Sequence, residues 1–131
     1  MFHGKQIKKP YNESVKTRVE TGKRGEDLAA EFLKKKKYKI IERNTRTKVG
    51  EIDLIARDPR GIMVFVEVKA LSVNTDGLAP EDHMTRRKII KVRALADAYM
   101  KKTKNKGDYR VDLVALTISH NSFDIRHYEN L

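Results

Sequence analysis

Asp53, Glu67 and Lys69 stand in two segments, GEIDLIA at 50–56 and FVEVK at 65–69, that one tight turn separates. Two carboxylates within reach of each other can seat a hard divalent cation, which prefers oxygen ligands. The linking stretch Arg57-Asp58-Pro59-Arg60-Gly61-Ile62 predicts a three-residue hairpin loop. Pro59 presets φ at the first corner and Gly61 accepts the left-handed conformation that follows. Asp58 and Ile62 would close the loop. Counting back from that pair sets Ile55 opposite Phe65, Asp53 opposite Glu67 and Glu51 opposite Lys69. Side chains alternate along strands, so these six share one face. Directly opposed Cβ atoms lie about 4.5–5.5 Å apart, close enough for Asp53 and Glu67 to share a cation.

Such a pair is costly without a partner. Two carboxylate charges about 5 Å apart repel by roughly 3 kcal/mol at an effective dielectric of 20. The hairpin is otherwise apolar, with Ile52, Leu54, Ala56, Val64, Val66 and Val68 on one face. Ile55, Met63 and Phe65 share the other with the acids. Strands this apolar are covered on both sides, and ionised groups beside a covered region need a counter-charge or a metal. Two solutions fit the spacing. Either the acids hold a cation, or Lys69 neutralises Glu67 or Glu51 at a solvated edge.

The elements that must position these residues follow from periodicity. Residues 1–20 lack it and read as a basic arm, mobile or folded as an irregular turn; residues 21–131 form one domain. Thr21 and Gly22 punctuate, and a helix over 23–36 carries Leu28, Ala29, Phe32 and Leu33 at helical spacing. A strand at 38–43 and a polar, basic loop at 44–49 precede the hairpin strands 51–57 and 62–70. The turn formers Asn74, Asp76, Gly77 and Pro80 mark a loop over 71–81. A second helix over 83–103 carries Ile89, Val92, Leu95, Ala96 and Tyr99. Strands at 109–117 and 123–128 close the chain. The order α-β-β-β-α-β-β predicts an α/β fold, a mixed sheet with helices packed against it. Glu26 sits at the edge of the first helix's apolar stripe. It either complements the helix dipole or reaches over the hairpin to complete an acidic site.

Composition bears on partners. Lys and Arg number 29 against 18 Asp and Glu, a formal charge of +11 in 131 residues. That excess favours an anionic polymer or acidic surface. There is no cysteine, hence no disulfide framework or thiolate metal site. The longest apolar run, Ile62 to Val66, is too short to span a bilayer. With no signal-peptide core, a cytoplasmic location is the expectation. His3, His83, His120 and His127 lack ligand spacing and receive no role. Tyr11, Tyr38 and Tyr99 read as packing residues rather than base-stacking platforms.

The segments TGKRGEDLAAEFL, YKIIERNTR, GEIDLIARD, FVEVK and YRVDLVAL, in this order, resemble the YraN-type family of small bacterial proteins. That family is regarded as endonuclease-like and related to archaeal Holliday-junction resolvases, in the PD-(D/E)XK nuclease superfamily. The resemblance runs from about Thr21 to Leu116. It implies a restriction-endonuclease-like fold and Mg²⁺- or Mn²⁺-dependent cleavage of DNA, selective for branched or structured substrates, with a homodimer as one arrangement. By position it casts Asp53 and Glu67 as metal-binding acids, with the Val68 carbonyl as a further ligand. Lys69 becomes the lysine that orients water or stabilises the phosphate, and Glu26 the acid of the first helix. Lys88 falls where the family carries a basic residue able to approach the phosphate. Arg46, Lys48, Arg86 and Arg87 would track the nucleic-acid backbone, through contacts that read no sequence. The role of Glu51 is open between shaping the site and pairing with Lys69. The chain departs from the family at Ala70-Leu71, where Thr-Arg is frequent, at Ile52, where the superfamily's name has Pro, and at Lys37-Tyr38, where Gly-Tyr is commoner. The alternative is a nucleic-acid-binding module that keeps the fold without cutting.

Overall fold

The hairpin forms as its sequence requires. In a computed structural model the Asp58 N–H donates to Ile62 O and the Gly61 N–H to Asp58 O, each at 2.9 Å. Gly61 takes φ 90°. The Asp58 carboxylate closes the loop further by accepting from the Arg60 and Ile62 N–H groups. The structure describes residues 2–3, 7–8, 18–72, 79–119 and 121–131. Most of the expected arm over 1–20, the turn formers Asn74, Asp76 and Gly77, and Tyr11 and His120 lie outside the described residues.

Five long strands make a mixed α/β sheet in the order β7-β6-β5-β4-β3: β3 (Lys39–Thr47), β4 (Gly50–Arg57), β5 (Met63–Ser72), β6 (Tyr109–Ile118) and β7 (Ser122–Tyr128). Two short strands, β1 (Phe2–His3) and β2 (Ile7–Lys8), pair with β7. All neighbours run antiparallel except β5 and β6. Those two are parallel because helix α2 (Arg86–Lys102), after a 3₁₀ turn at Pro80–His83, carries the chain back between them. Helix α1 (Arg18–Lys35) precedes β3.

Each face of the sheet is covered by one helix. Ala29, Ala30 and Leu33 of α1 pack with Leu54, Ala56, Val64, Val66, Val68, Val114 and Leu116. Val92, Leu95, Ala96 and Met100 of α2 pack with Ile55, Met63, Phe65 and Val111. The strand period of two divides β5 cleanly between these cores. Tyr38 and Tyr99 pack edge-on against His127 and Phe65 respectively, so both are packing residues.

Three boundaries differ from the sequence expectation. Helix α1 begins at Arg18, not 23, and Thr21 and Gly22 lie inside it. Thr21 and Gly25 extend the buried stripe of Ala29 and Leu33 at four-residue spacing. Thr21 reads as punctuation by type, yet small residues let the helix approach the sheet: a Cβ on Gly25 would stand 2.4 Å from the Ala70 Cβ. Second, the strand expected at 38–43 continues to Thr47, so 44–47 is β3 rather than loop. The turn is only Lys48-Val49, and the Thr47 hydroxyl accepts from the Val49 and Gly50 N–H groups. Third, the second helix starts at Arg86, where Thr85 accepts from the Lys88 N–H at 3.2 Å, and not at 83. Of its expected stripe Val92, Leu95 and Ala96 are buried while Ile89 and Tyr99 are only half-buried, and Met100 completes the face.

Helix α1 ends in a Schellman motif: Tyr38 N–H donates to Leu33 O and Lys37 N–H to Lys34 O. Lys37 therefore takes φ 70°. Glycine adopts that conformation at no steric cost, so the Gly-Tyr of the family that the motifs resemble would fit this turn.

Candidate active site

The ladder between β4 and β5 runs Arg57–Met63, Ala56–Val64, Ile55–Phe65, Leu54–Val66, and there it stops. Asp53 and Glu67 are next in the count but are not ladder partners, and neither are Glu51 and Lys69. The expected direct opposition is corrected to a divergence of the strands. Its cause is Asp53 itself. Counting by twos from the closing pair, Val68 is the next β5 residue whose N–H and C=O point at β4. Ile52 would receive them in a continued ladder. Instead the Asp53 carboxylate accepts the Val68 N–H at 2.8 Å. A side chain thus replaces the backbone partner and satisfies a donor that would otherwise be orphaned.

The same bond breaks the strand period. Leu54 faces α1 and Ile55 faces α2, so alternation would return Ile52 to the α1 side. Ile52 packs in the α2-side core instead, against the expectation that it joins Leu54 and Ala56. Asp53 is the residue where β4 rotates, its carboxylate turned toward the neighbouring strand. The other flank of β4 loosens at the same point. Arg43 pairs with Leu54 and Thr45 with Ile52, while Asn44, opposite Asp53, is no partner and takes φ 52°.

That left-handed twist gives Asn44 a use that no spacing rule pointed to. With its amide nitrogen toward the acids, it donates to Glu26 Oε1 at 2.9 Å and Glu51 Oε1 at 3.2 Å. It holds two carboxylates side by side, one from α1 and one from β4. Burial and the neighbouring Glu51 and Asp27 raise the Glu26 carboxyl above its usual range, while the Asn44 bond and Arg43 pull it down. Asp53 is pushed up to about 7, by burial first and then by Glu67, with Glu26 and Glu51 adding; the Val68 N–H opposes this. Glu26 therefore acts on Asp53 through its field, held beside Glu51.

Glu67 lies on the α2 face and pairs with Lys88 Nζ at 3.1 Å; the Glu67 side chain is 12% exposed. Glu51 pairs with Arg46 across the β3–β4 hairpin at 3.5 Å. Lys69 makes no hydrogen bond or ion pair with another described residue. The open question of which acid Lys69 neutralises is settled by other cations: Lys88 takes Glu67 and Arg46 takes Glu51.

Among the described residues no three carboxylate or imidazole side chains come together as a metal-ligating group. The donor set that remains is the Asp53 and Glu67 carboxylates and the Val68 carbonyl. The last faces the same opening as its own N–H, because both groups of a strand residue point to one edge. This set fits a hard cation that keeps several of its waters. The raised pKa of Asp53 reflects burial first and the Glu67 charge second, and a nearby cation would oppose both.

Basic side chains rim the opening. Arg46 and Lys48 are exposed on the β3–β4 hairpin, Arg86 and Arg87 on the first turn of α2. A Cβ on Gly50 would come within 3.1 Å of Lys91 and 3.2 Å of Leu95, so the hairpin end lies against α2 and joins the two groups. Lys91, not singled out by sequence, belongs with them.

The geometry is thus an α/β sheet whose central strands part beside Asp53, with basic side chains on the neighbouring β3–β4 hairpin and the first turn of α2. The chain belongs to the uncharacterised protein family UPF0102, whose model matches residues 25–116; this is the YraN-type family that the motifs resemble. It is 47% identical over 109 residues to a UPF0102 protein of Thermotoga petrophila, covering 83% of this chain and 94% of the relative. A relative from Cytophaga hutchinsonii is 41% identical over 99 residues, covering 76% and 86%. One from Fervidobacterium nodosum is 36% identical over 130 residues, covering 97% and 92%. No described helix is long and apolar enough to cross a membrane.

Proposed function

We propose that this protein is a metal-dependent endonuclease that hydrolyses phosphodiester bonds in DNA, with preference for branched or structured substrates. The observation that carries the reading is the parting of β4 and β5 after Leu54–Val66, with Asp53 bonded to Val68 N–H in the gap and Glu67 beside it. The motifs and their placement on the sheet support a restriction-endonuclease-like fold akin to that of archaeal Holliday-junction resolvases.

Asp53, Glu67 and the Val68 carbonyl would hold Mg²⁺ or Mn²⁺. A bound divalent cation lowers the pKa of a coordinated water and offsets charge on the scissile phosphate. The rest is supplied by side chains. Lys69, one alternation beyond Glu67, donates toward a phosphoryl oxygen or the attacking water. Lys88 fixes the orientation of Glu67, and Asn44 fixes Glu26 and Glu51. Arg46, Lys48, Arg86 and Arg87 contact the backbone without reading sequence, which suits selection by substrate shape.

The test is cleavage of linear, nicked, flapped and four-way DNA with Mg²⁺ or Mn²⁺ against chelator. Metal-dependent cutting is expected, with Asp53→Ala retaining DNA binding. Its rate should fall at least about a hundredfold, the upper end of what losing an outer partner of a metal ligand costs. One observation favours a second reading: Lys88 already seats an ammonium on Glu67, as in a binding module without catalysis. Binding without cutting on every substrate would select that reading.

A further inference from the structure

At the opposite end of α1 a second polar cluster is built into the sheet. Lys36, just past the helix, is ten residues beyond Glu26, about 15 Å along the axis at 1.5 Å per residue. Its Nζ stands 2.6 Å from His127 Nδ1, and His127 Nε2 stands 2.8 Å from Asp112 Oδ2. Both the His127 and Asp112 side chains are 0% exposed. Asp112 also accepts from Arg110 Nε and from the Asn130 N–H, each at 3.0 Å. Burial raises its carboxyl, but the bonds from His127, Asn130 and Arg110 outweigh that and hold it below the usual range.

The proton positions follow. An ionised carboxylate only accepts, so the proton between His127 and Asp112 belongs to Nε2. Nδ1 then carries a lone pair, and it faces an ammonium that can only donate. Lys36 is thus aligned on a base whose protonated form Asp112 would stabilise, the geometry by which a carboxylate-backed imidazole activates a nucleophile. The charged surroundings are mixed: Glu129 and Asp112 favour the ammonium, Arg110 opposes it, and the Phe32 and Tyr38 rings lie within 5.3 and 5.7 Å of Nζ. Burial outweighs the rest and lowers the Lys36 pKa.

We propose that Lys36 is a modification site, a nucleophilic amine that takes an acyl group from an acyl phosphate with His127 as the base. The Nζ lone pair forms the new C–N bond. The bond from the carbonyl carbon to the phosphate oxygen breaks, and phosphate leaves with that electron pair. Of the three ammonium protons, one passes to His127 Nδ1 and on to solvent, one leaves with phosphate, and one stays on the amide. The product amide is neutral, so acylation removes a charge from this end of the sheet and abolishes the ammonium donor to His127.

The lysine run supplies its own control, because Lys34, Lys35 and Lys37 are exposed and Lys36 is half-buried. Exposure alone would make Lys36 the slowest of the four. The full chain is treated with acetyl phosphate near neutral pH, and each site's acetylation rate is followed by peptide mass spectrometry. Lys36 is expected to react at least about tenfold faster than its three neighbours, a modest share of what a positioned base contributes. His127→Gln should bring it level with or below them. A Lys36 rate no higher than that of the neighbours in the wild-type chain overturns the proposal, whether or not the variant folds. A preference that survives in a folded His127→Gln chain overturns the relay.

Discussion

Asp53 carries two jobs that conflict. Its carboxylate terminates the β4–β5 ladder by accepting the Val68 N–H, and burial first, then the charges of Glu67, Glu26 and Glu51, push its pKa from 3.8 up to about 7. Across the window between those two values the folded chain holds a proton that the unfolded chain has released. Stability therefore falls as pH rises through the window, and the full cost remains above it. Asp53→Asn keeps an oxygen for Val68 and removes the charge. Without divalent cations the variant is expected to be about 1–2 kcal/mol more stable near pH 8, after allowance for solvent screening, and no more stable near pH 4. Thermal unfolding at both pH values checks this. Equal stability at pH 8 would mean that the carboxylate is already neutralised by its surroundings. Glu67 has Lys88 Nζ beside it at 3.1 Å.

The tight seat of α1 on the sheet depends on a small-residue contact. Gly25 lies so close to Ala70 that a methyl group would overlap it. Gly25→Ala should cost about 1–3 kcal/mol of overpacking, more than the roughly 1 kcal/mol that alanine returns in helix propensity. Adding Ala70→Gly should recover part of the loss, and denaturant unfolding of the two single variants and the double variant measures the coupling. Additive losses would show that the two residues do not meet. The contact also shows what sequence can and cannot reveal. The turn of the 51–70 hairpin was legible because Pro59 and Gly61 act locally, and Asp58–Ile62 fixes the pairs as far as Leu54–Val66; beyond them Asp53 turns toward Val68, which the count could not show. The start of α1 was not legible, because Thr21 and Gly22 resemble breakers until the packing of this helix end on the sheet is known. Asn44 was hidden in an apparent loop because its twist depends on Asp53 turning toward Val68. The Glu67–Lys88 pair was equally hidden, since 21 positions separate its members and only the α2 crossover joins them.

Over the whole molecule, charge is placed in part against local stability. The first turn of α2 holds Arg86, Arg87 and Lys88 and no acid, opposite to what the helix dipole prefers. A phosphate backbone along that turn and the β3–β4 hairpin would relieve the conflict. Arg86→Glu combined with Arg87→Glu is expected to stabilise the free protein by about 0.5–1 kcal/mol while weakening DNA binding at every sequence. The salt dependence of binding should become shallower by up to about two phosphate equivalents, one for each lost contact. Unchanged affinity would remove α2 from the interface. The +11 net charge was legible from composition, but which cations rim the acids required the fold.

The proposed cation seat between β4 and β5 is tested most directly by titrating Mn²⁺ into the isotope-labelled wild-type chain and following paramagnetic broadening of its amide resonances. Broadening centred on residues 53 and 67–69, lost in Asp53→Asn combined with Glu67→Gln, is the expected result. Broadening elsewhere, or none at millimolar Mn²⁺, would contradict a divalent-ion site at the parted strands.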